Sequence, residues 1–562
     1  MNANLTAEAL LENLDEEQRL AAEALVGPTC ILAGAGTGKT RTITHRIAYG
    51  IAKGYYAANR VLALTYTNRA AGELRARLRQ LGASGVQVKT FHAAALSQLE
   101  YFWPQHAGVP APQVIESKAK LIADAANELK LKLDTAAIRE IAAEIEWRKY
   151  SMLSLEQYGD VVSNRPKIAG VKPEQNIALQ SLYEENKIRS QRLDWEDVLI
   201  LTLGLLRAEP LALAHVQQQY RFFTVDEYQD ISPLQHALLD IWMGDHTDLC
   251  VVGDPNQTIY SFTGATSEYL RNFDQRYDGA TILQLTQNYR SSQNIVAAAN
   301  RIVADSTATD ALRSASDVGD PVRVIQHASI ADEAREVALS ISEQIAMGVK
   351  PNEIAVLYRV NGQSESFEAA LAERGVEYQL RGGERFFNRP EIQRAFTALR
   401  AEANSASRPD KSTFEIITDV CRSLGWTSRE PEQPGAERER WESLNALIAI
   451  LDEMPEGATI AQFAAELEER KRSQHEPVKP AVTLATIHAA KGLEWSHVYI
   501  VGATEGYLPI GYATTPAEIA EEKRLFYVAV TRAKRKLTIS WAKRDSVSNR
   551  DREGSRFLAL IG

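Results

Sequence analysis

Short apolar runs bounded by turn residues recur along this chain, and stretches with helical spacing lie between them. In the first half, Cys30–Ala33, Val61–Tyr66, Val86–Phe91, Phe222–Val225 and Leu249–Val252 predict strands, with helices such as Thr67–Gln80 between them. The second half repeats the habit at Val322–Gln326, Ile354–Tyr358, Val482–Thr486, Val498–Val501 and Leu537–Ser540, with helices over Asp332–Ala346 and Ala517–Val530. Strands alternating with helical patterns imply parallel sheet, so the fold class is α/β with two doubly wound domains. Two segments break the rhythm. Residues 104–190, containing VIESKAKLIADAANELKLKL and AAIREIAAEIEWRKY, are helical in pattern. Residues 401–480 are also helical and carry the most linker-like stretch, TSREPEQPGAERER. A segment that leaves a sheet and returns to it predicts an inserted subdomain. The expected organisation is therefore 1–103 with 191–283 as the first domain, and 284–400 with 481–562 as the second. Residues 104–190 and 401–480 are the two insertions.

At 562 residues the chain has room for roughly four domains, and 45% hydrophobic with 24% charged residues is ordinary globular composition. The formal charge is −10, from 73 acids and 63 bases. The total lacks the basic footprint of many nucleic-acid binders but leaves room for a local basic groove. Cys30, Cys250 and Cys421 form no CxxC pair, so neither a zinc cluster nor a disulfide framework is expected. Cys30 and Cys250 lie within apolar strands and read as small core residues. The opening MNANLTAEALLENLDEEQ is acidic without an apolar h-region, and no apolar run reaches ~18 residues. No signal peptide or membrane span is expected, and a reducing, cytoplasmic setting is.

Candidate chemistry sits at the strand ends. AGAGTGKT, Ala33 to Thr40, follows a strand and precedes a helix. Gly34, Gly36 and Gly38 would let backbone N–H groups crowd around phosphate oxygens, Lys39 would reach the β/γ-phosphates and Thr40 would hold Mg²⁺. FFTVDEYQD ends another strand at Asp226 and Glu227. Asp226 suits an indirect hold on Mg²⁺, and Glu227 suits the base that orients attacking water. VVGDPNQTIYSFTGA, Val251 to Ala265, ends a third strand, so Gln257 can face the γ-phosphate or its water. Tyr260 and Phe262 follow. At i and i+2 of an extended segment they would point the same way, as a two-ring platform for stacked bases. Spacing alone fits two core residues as well.

Taken together, these motifs resemble the superfamily 1 DNA helicases of the UvrD/Rep/PcrA type, and the resemblance runs in order through nearly the whole chain. NLDEEQRLAAE, AGAGTGKTR, VLALTYTNRAAGELRARL, KTFHA, RLDWEDVL, VDEYQD, GDPNQTIYSFTGA, LTQNYRSS, ATIHAAKGLEWSHVYIVG and EEKRLFYVAVTRAKRKL carry it. It implies two RecA-like P-loop domains, each with a mainly helical insertion, holding ATP and Mg²⁺ between them. Gln18 takes the adenine-reading role. Gly34, Ala35, Gly36, Thr37, Gly38, Lys39, Thr40 and Arg41 form the phosphate loop. Tyr289 stacks on adenine, Arg290 and Arg532 reach the γ-phosphate, and Gly492 and Glu494 meet the sugar–phosphate side. Thr65, Tyr66, Asn68, Thr90, His92, Tyr260, Phe262, Arg359 and His488 are implied along the DNA track.

The chain departs from the family pattern at four places. Thr263-Gly264-Ala265 stands where the family commonly has Arg-Gly-Ala. EGYLPI, Glu505 to Ile510, stands for Glu-Gly-Leu-Phe-Pro-His. The second insertion is about half the usual length, and many relatives continue beyond the equivalent of GSRFLALIG. The implied function is an ATP-dependent single-strand translocase and 3′-to-5′ DNA helicase of repair or replication. It acts on single strands and junctions, with repair or loading proteins as possible partners. The short second insertion favours the alternative of a protein-stripping translocase that unwinds little alone. A P-loop kinase or switch without DNA is opposed by Arg290 and Arg532, and a nuclease fusion by the lack of a carboxylate-rich region.

Overall fold

The structure is a computed structural model. It describes residues 6–561 apart from 166, 167, 169, 306–308, 382–386, 388, 405–410, 429–439, 441, 442, 445, 446, 449, 455, 456, 474–479 and 545–550. The chain divides into two compact units, Met1–Thr286 with Thr307–Asp310, and Gln287–Ser306 with Ala311–Gly562.

The first unit is built on β1 (Thr29–Ala33), β2 (Val61–Thr65), β3 (Gln87–Thr90), β4 (Phe222–Val225), β5 (Leu249–Gly253) and β6 (Thr281–Leu285). They form one parallel sheet in the order β3-β2-β4-β5-β1-β6. Alternation along each strand feeds two apolar layers. Cys30, Leu62 and Leu64 face one, while Ile31, Ala33, Val61 and Ala63 face the other. Burial on both faces is why the inner strands β1, β2 and β5 read as unbroken apolar runs. The helices α1 (Glu16–Glu23), α2 (Lys39–Ala52), α3 (Asn68–Gln80) and α4 (Phe91–Ala107) precede the first insertion. Phe91, expected at the end of a strand, instead opens α4, because the Thr90 hydroxyl accepts from the Ala93 N–H at 3.1 Å and caps the helix. Strand β6 is not among the apolar runs of the sequence, since its first residues are open to solvent. It pairs with β1 across the expected 283/284 boundary and so belongs to this unit.

Within residues 104–190, helices Ala119–Glu128, Thr135–Tyr150, Leu155–Val161 and Pro173–Arg189 enclose their own core around Ile122, Ile141, Ile145, Leu179 and Tyr183. A two-residue parallel pair, Gln113–Val114 with Arg192–Leu193, closes the base of the insertion.

The second unit holds β7 (Arg323–Ser329), β8 (Ile354–Tyr358), β9 (Tyr378–Arg381), β10 (Val482–Thr486), β11 (Trp495–Ile500) and β12 (Ala533–Arg544). This sheet is also parallel, in the order β7-β12-β11-β8-β10-β9. Among residues 390–480, helices Pro390–Asn404, Thr413–Ser423 and Ile460–Ser473 gather around Ile392, Phe396, Leu399, Ile417, Phe463 and Leu467. Most of the linker-like stretch, 429–439, lies outside the described residues. All three cysteines are free thiols and buried. Among the described residues no single helix is long and apolar enough to cross a membrane.

Candidate nucleotide and single-strand site

Strand β1 ends at Ala33 and α2 begins at Lys39, so AGAGTGKT forms the turn between them. Gly36 and Gly38 have φ of +72° and +84°, the left-handed region that side chains other than glycine rarely enter. The Thr37 hydroxyl donates to the Gly34 carbonyl at 2.9 Å and closes the loop from inside. The Lys39 ammonium donates to the carbonyls of Ala33 (3.1 Å) and Gly34 (3.4 Å). Thr40 sits half-buried in the first turn of α2, Ala35 is buried, and Arg41 reaches the Asn13 carbonyl. Gln18 is buried behind the loop, where its Nε2 donates to the Thr37 carbonyl at 2.9 Å. The positive φ favours glycine at 38, and a Cβ there would lie 2.7 Å from that Nε2, so a substitution would also displace the Gln18 amide.

Two strands away from β1 in the sheet, β4 delivers Asp226 and Glu227. The Asp226 carboxyl is pushed up to about 7, first by burial and then by the neighbouring Glu227 carboxylate, with Lys39 opposing. Glu227 adopts φ +53° and donates its N–H to the Asp226 carboxylate at 2.9 Å. At the end of β5, Asp254 accepts from Gln257 Nε2 at 2.8 Å and from the Asn256 N–H at 3.0 Å. Gln229, overlooked in the sequence, sits between these loops. Its signal is its place in DEYQD, next to the paired acids.

The ring platform differs from the expectation. Ser261–Thr263 is a 3-10 turn, not an extended segment, with Thr263 N–H bonded to the Tyr260 carbonyl at 3.0 Å. Tyr260 and Phe262 therefore do not present parallel faces; they meet edge-on at 64°, with centroids 6.1 Å apart. The stacked partner of Tyr260 is Tyr66, from the end of β2, at 5.5 Å and 10°. Phe262 is 52% exposed and Tyr66 41%, so neither is core filling. Asn68 opens α3 beside Tyr66. The buried Thr65 hydroxyl has no hydrogen-bond partner among the described residues. His92, in the first turn of α4, meets the Tyr150 hydroxyl at 3.1 Å and lies at right angles to the exposed Trp195 ring, with centroids 5.8 Å apart. Burial, then the Lys118 charge, pushes the His92 imidazole down to about 4, so it is neutral at physiological pH.

In the second unit, Arg290 pairs with Glu494 and donates to the Thr531 carbonyl at 3.3 Å. Arg532 is buried and donates to the carbonyls of Val528 (2.9 Å) and Leu493 (3.1 Å). Glu494 also accepts from Lys534 at 2.9 Å. Burial alone would raise the Glu494 carboxyl, but the Arg290 and Lys534 charges hold it below its ordinary value. Gly492 turns the chain at φ +81° just before Glu494, and Tyr289 is 47% exposed beside Arg290. Arg359 is clamped on Glu522, with Nη2 at 2.8 Å and Nε at 3.1 Å, so its charge is neutralised within the unit. Burial, then Arg359 and Lys491, pushes His488 down to about 4.

A parallel sheet with a glycine loop after one strand and paired acids two strands over defines the P-loop nucleotide-binding class. Residues 14–278 match the UvrD/REP helicase N-terminal domain, and 283–431 with 412–544 match the UvrD-like helicase C-terminal domain. The chain is 42% identical to the ATP-dependent DNA helicase UvrD2 of Mycobacterium tuberculosis, covering 99% of this chain and 82% of that protein. It is 30% identical to DNA helicase II of Haemophilus influenzae, covering 98% and 87%. Against the ATP-dependent DNA helicase PcrA of Bacillus subtilis the identity is 27%, covering 99% and 87%. The chain belongs to this family, the UvrD-like ATP-dependent DNA helicases.

Proposed function

We propose that this helicase translocates 3′-to-5′ on single-stranded DNA and unwinds junctions during repair or replication. ATP phosphates bind the loop from Gly34 to Thr40, with Lys39 on the β/γ-phosphates and Gln18 reading adenine. Arg41, Tyr289, Gly492 and Glu494 add contacts to the nucleotide. Arg290 and Arg532 are the candidates to neutralise charge on the γ-phosphate. Such arginines supplied in cis or trans are worth ~10³–10⁵ in rate in other nucleotide hydrolases.

Thr40 and Asp226 fit Mg²⁺. A buried carboxyl held next to a second carboxylate is costly to ionise, and a divalent cation would supply the missing charge. Glu227 then serves as the base that orients water. Thr65, Tyr66, Asn68, Thr90, His92, Tyr260, Phe262, Arg359 and His488 line the strand's track. Because His92 and His488 are neutral, their contacts would be hydrogen bonds or stacking, not ion pairs.

The observation that carries this reading is the loop after β5. At one end Gln257 is bonded to Asp254; at the other Tyr260 is stacked on Tyr66. With Gln257 facing the γ-phosphate and Tyr260 facing a base, nucleotide state and base stacking would meet in one short turn. The short second insertion favours a second reading, translocation with little unwinding. A forked duplex labelled for strand separation, with either a 3′ or a 5′ single-strand tail, decides between them. Unwinding that depends on ATP and on the 3′ tail is expected. Unwinding from the 5′ tail would overturn the polarity, and stimulated ATPase without strand separation would favour the second reading.

A further inference from the structure

We propose that Gln229 is a positioning residue that couples the water-orienting acid to the loop carrying Gln257. This rests on the proposed roles of Glu227 and Gln257.

Gln229 is fully buried. Its Nε2 donates to the Glu227 carboxylate, and its Oε1 accepts the Asp254 N–H at 3.1 Å. The partners fix the amide's orientation, because a carboxylate only accepts and a backbone N–H only donates. One side chain thus bonds both the acid at the end of β4 and the first residue after β5. Asp254 in turn holds Gln257 at 2.8 Å. The approach is close: a Cβ on Gly253 would lie 2.4 Å from Gln229 Oε1 and 3.2 Å from its N–H nitrogen. A side chain at 253 would push the amide out of place. Glu227 sits at φ +53°, a conformation a non-glycine residue keeps only when its surroundings hold it there. The Gln229 amide is one such restraint. A shift of the loop after β5, where bases are expected to stack, therefore moves the Glu227 carboxylate through a rigid amide bridge. DNA binding would be felt as a change in the acid's aim rather than in nucleotide affinity.

The test is a double-mutant cycle of Gln229→Met and Gln257→Ala, assayed for ATP turnover with and without a single-stranded oligonucleotide. Binding of a fluorescent ATP analogue runs in parallel. Gln229→Met should lower the DNA-stimulated kcat roughly tenfold, the effect of losing the hydrogen bond to the Glu227 carboxylate, and lower the stimulation ratio. KM for ATP should stay within about twofold. The double variant should lose no more than the more damaging single variant. Gln229→Glu keeps the volume and the acceptor but sets a like charge beside Glu227, and should show the same loss. A wild-type stimulation ratio in either Gln229 variant, multiplicative losses in the double variant, or a loss confined to KM would overturn the inference. Glu227→Gln separates the two layers. If it turns ATP over at the wild-type rate, the proposed role of Glu227 fails. If it is inactive while the cycle is multiplicative, only the coupling role of Gln229 fails.

Discussion

At the scale of single residues, the site is a set of close approaches that leave little room for substitution. Gly38→Ala would drive a methyl group to within 2.7 Å of Gln18 Nε2 and strain a backbone at φ +84°. It should raise KM for ATP by roughly tenfold or more, measured by steady-state turnover. Phe262→Ala removes an exposed ring and should weaken single-strand binding by ~1–3 kcal/mol, read by fluorescence anisotropy. His92 carries a pH signature. Its folded value of about 4 lies below the ordinary 6.5, so the unfolded chain takes up the proton first as pH falls. Stability from this group is present above 6.5 and is lost as pH drops toward 4. His92→Asn should flatten that part of the melting-temperature profile relative to wild type. The phosphate loop, the acid pair and Gln257 were legible in sequence because each sits at the end of an apolar strand. The Tyr66–Tyr260 stack was not, because its rings come from different strand ends and the 3-10 turn at Ser261–Thr263 defeats a period-two reading.

At the scale of elements, burial decides both what could be read and what holds the site. The inner strands β1, β2, β5 and β8 are buried at nearly every position and announced themselves as apolar runs. The edge strands β6, TILQL, and β9, YQLR, keep positions open to solvent, so their sequences carry no such run. The helix Trp195–Ala208, which returns the chain from the first insertion, is capped by Asp194. That carboxylate also receives the Lys149 and Lys187 ammonium groups at 2.7 and 2.9 Å and the Tyr183 hydroxyl at 3.0 Å. Burial alone would raise the Asp194 carboxyl, but Lys149 and then Lys187 hold it well below the usual carboxylate range. Asp194→Asn removes one of three carboxylates, with Glu184 and Asp197, that pair with both buried lysines. It should cost about 1.5–3 kcal/mol of stability in urea unfolding, the loss of hydrogen bonds to a charged group.

At the scale of the whole molecule, two parallel sheets each carry nucleotide-family motifs at their strand ends, and family matches cover both units. A net charge of −10 gave no hint of a DNA partner, because totals average over surfaces that act locally. The central claim is that single-stranded DNA and the phosphate loop act on one ATPase cycle. The most direct measurement is ATP turnover, with and without a single-stranded oligonucleotide, for wild type and Lys39→Ala. Strong stimulation of the wild type and near-silence of Lys39→Ala under both conditions are expected. Turnover of the wild type that is indifferent to DNA, or a Lys39→Ala variant that is still stimulated, would contradict the account.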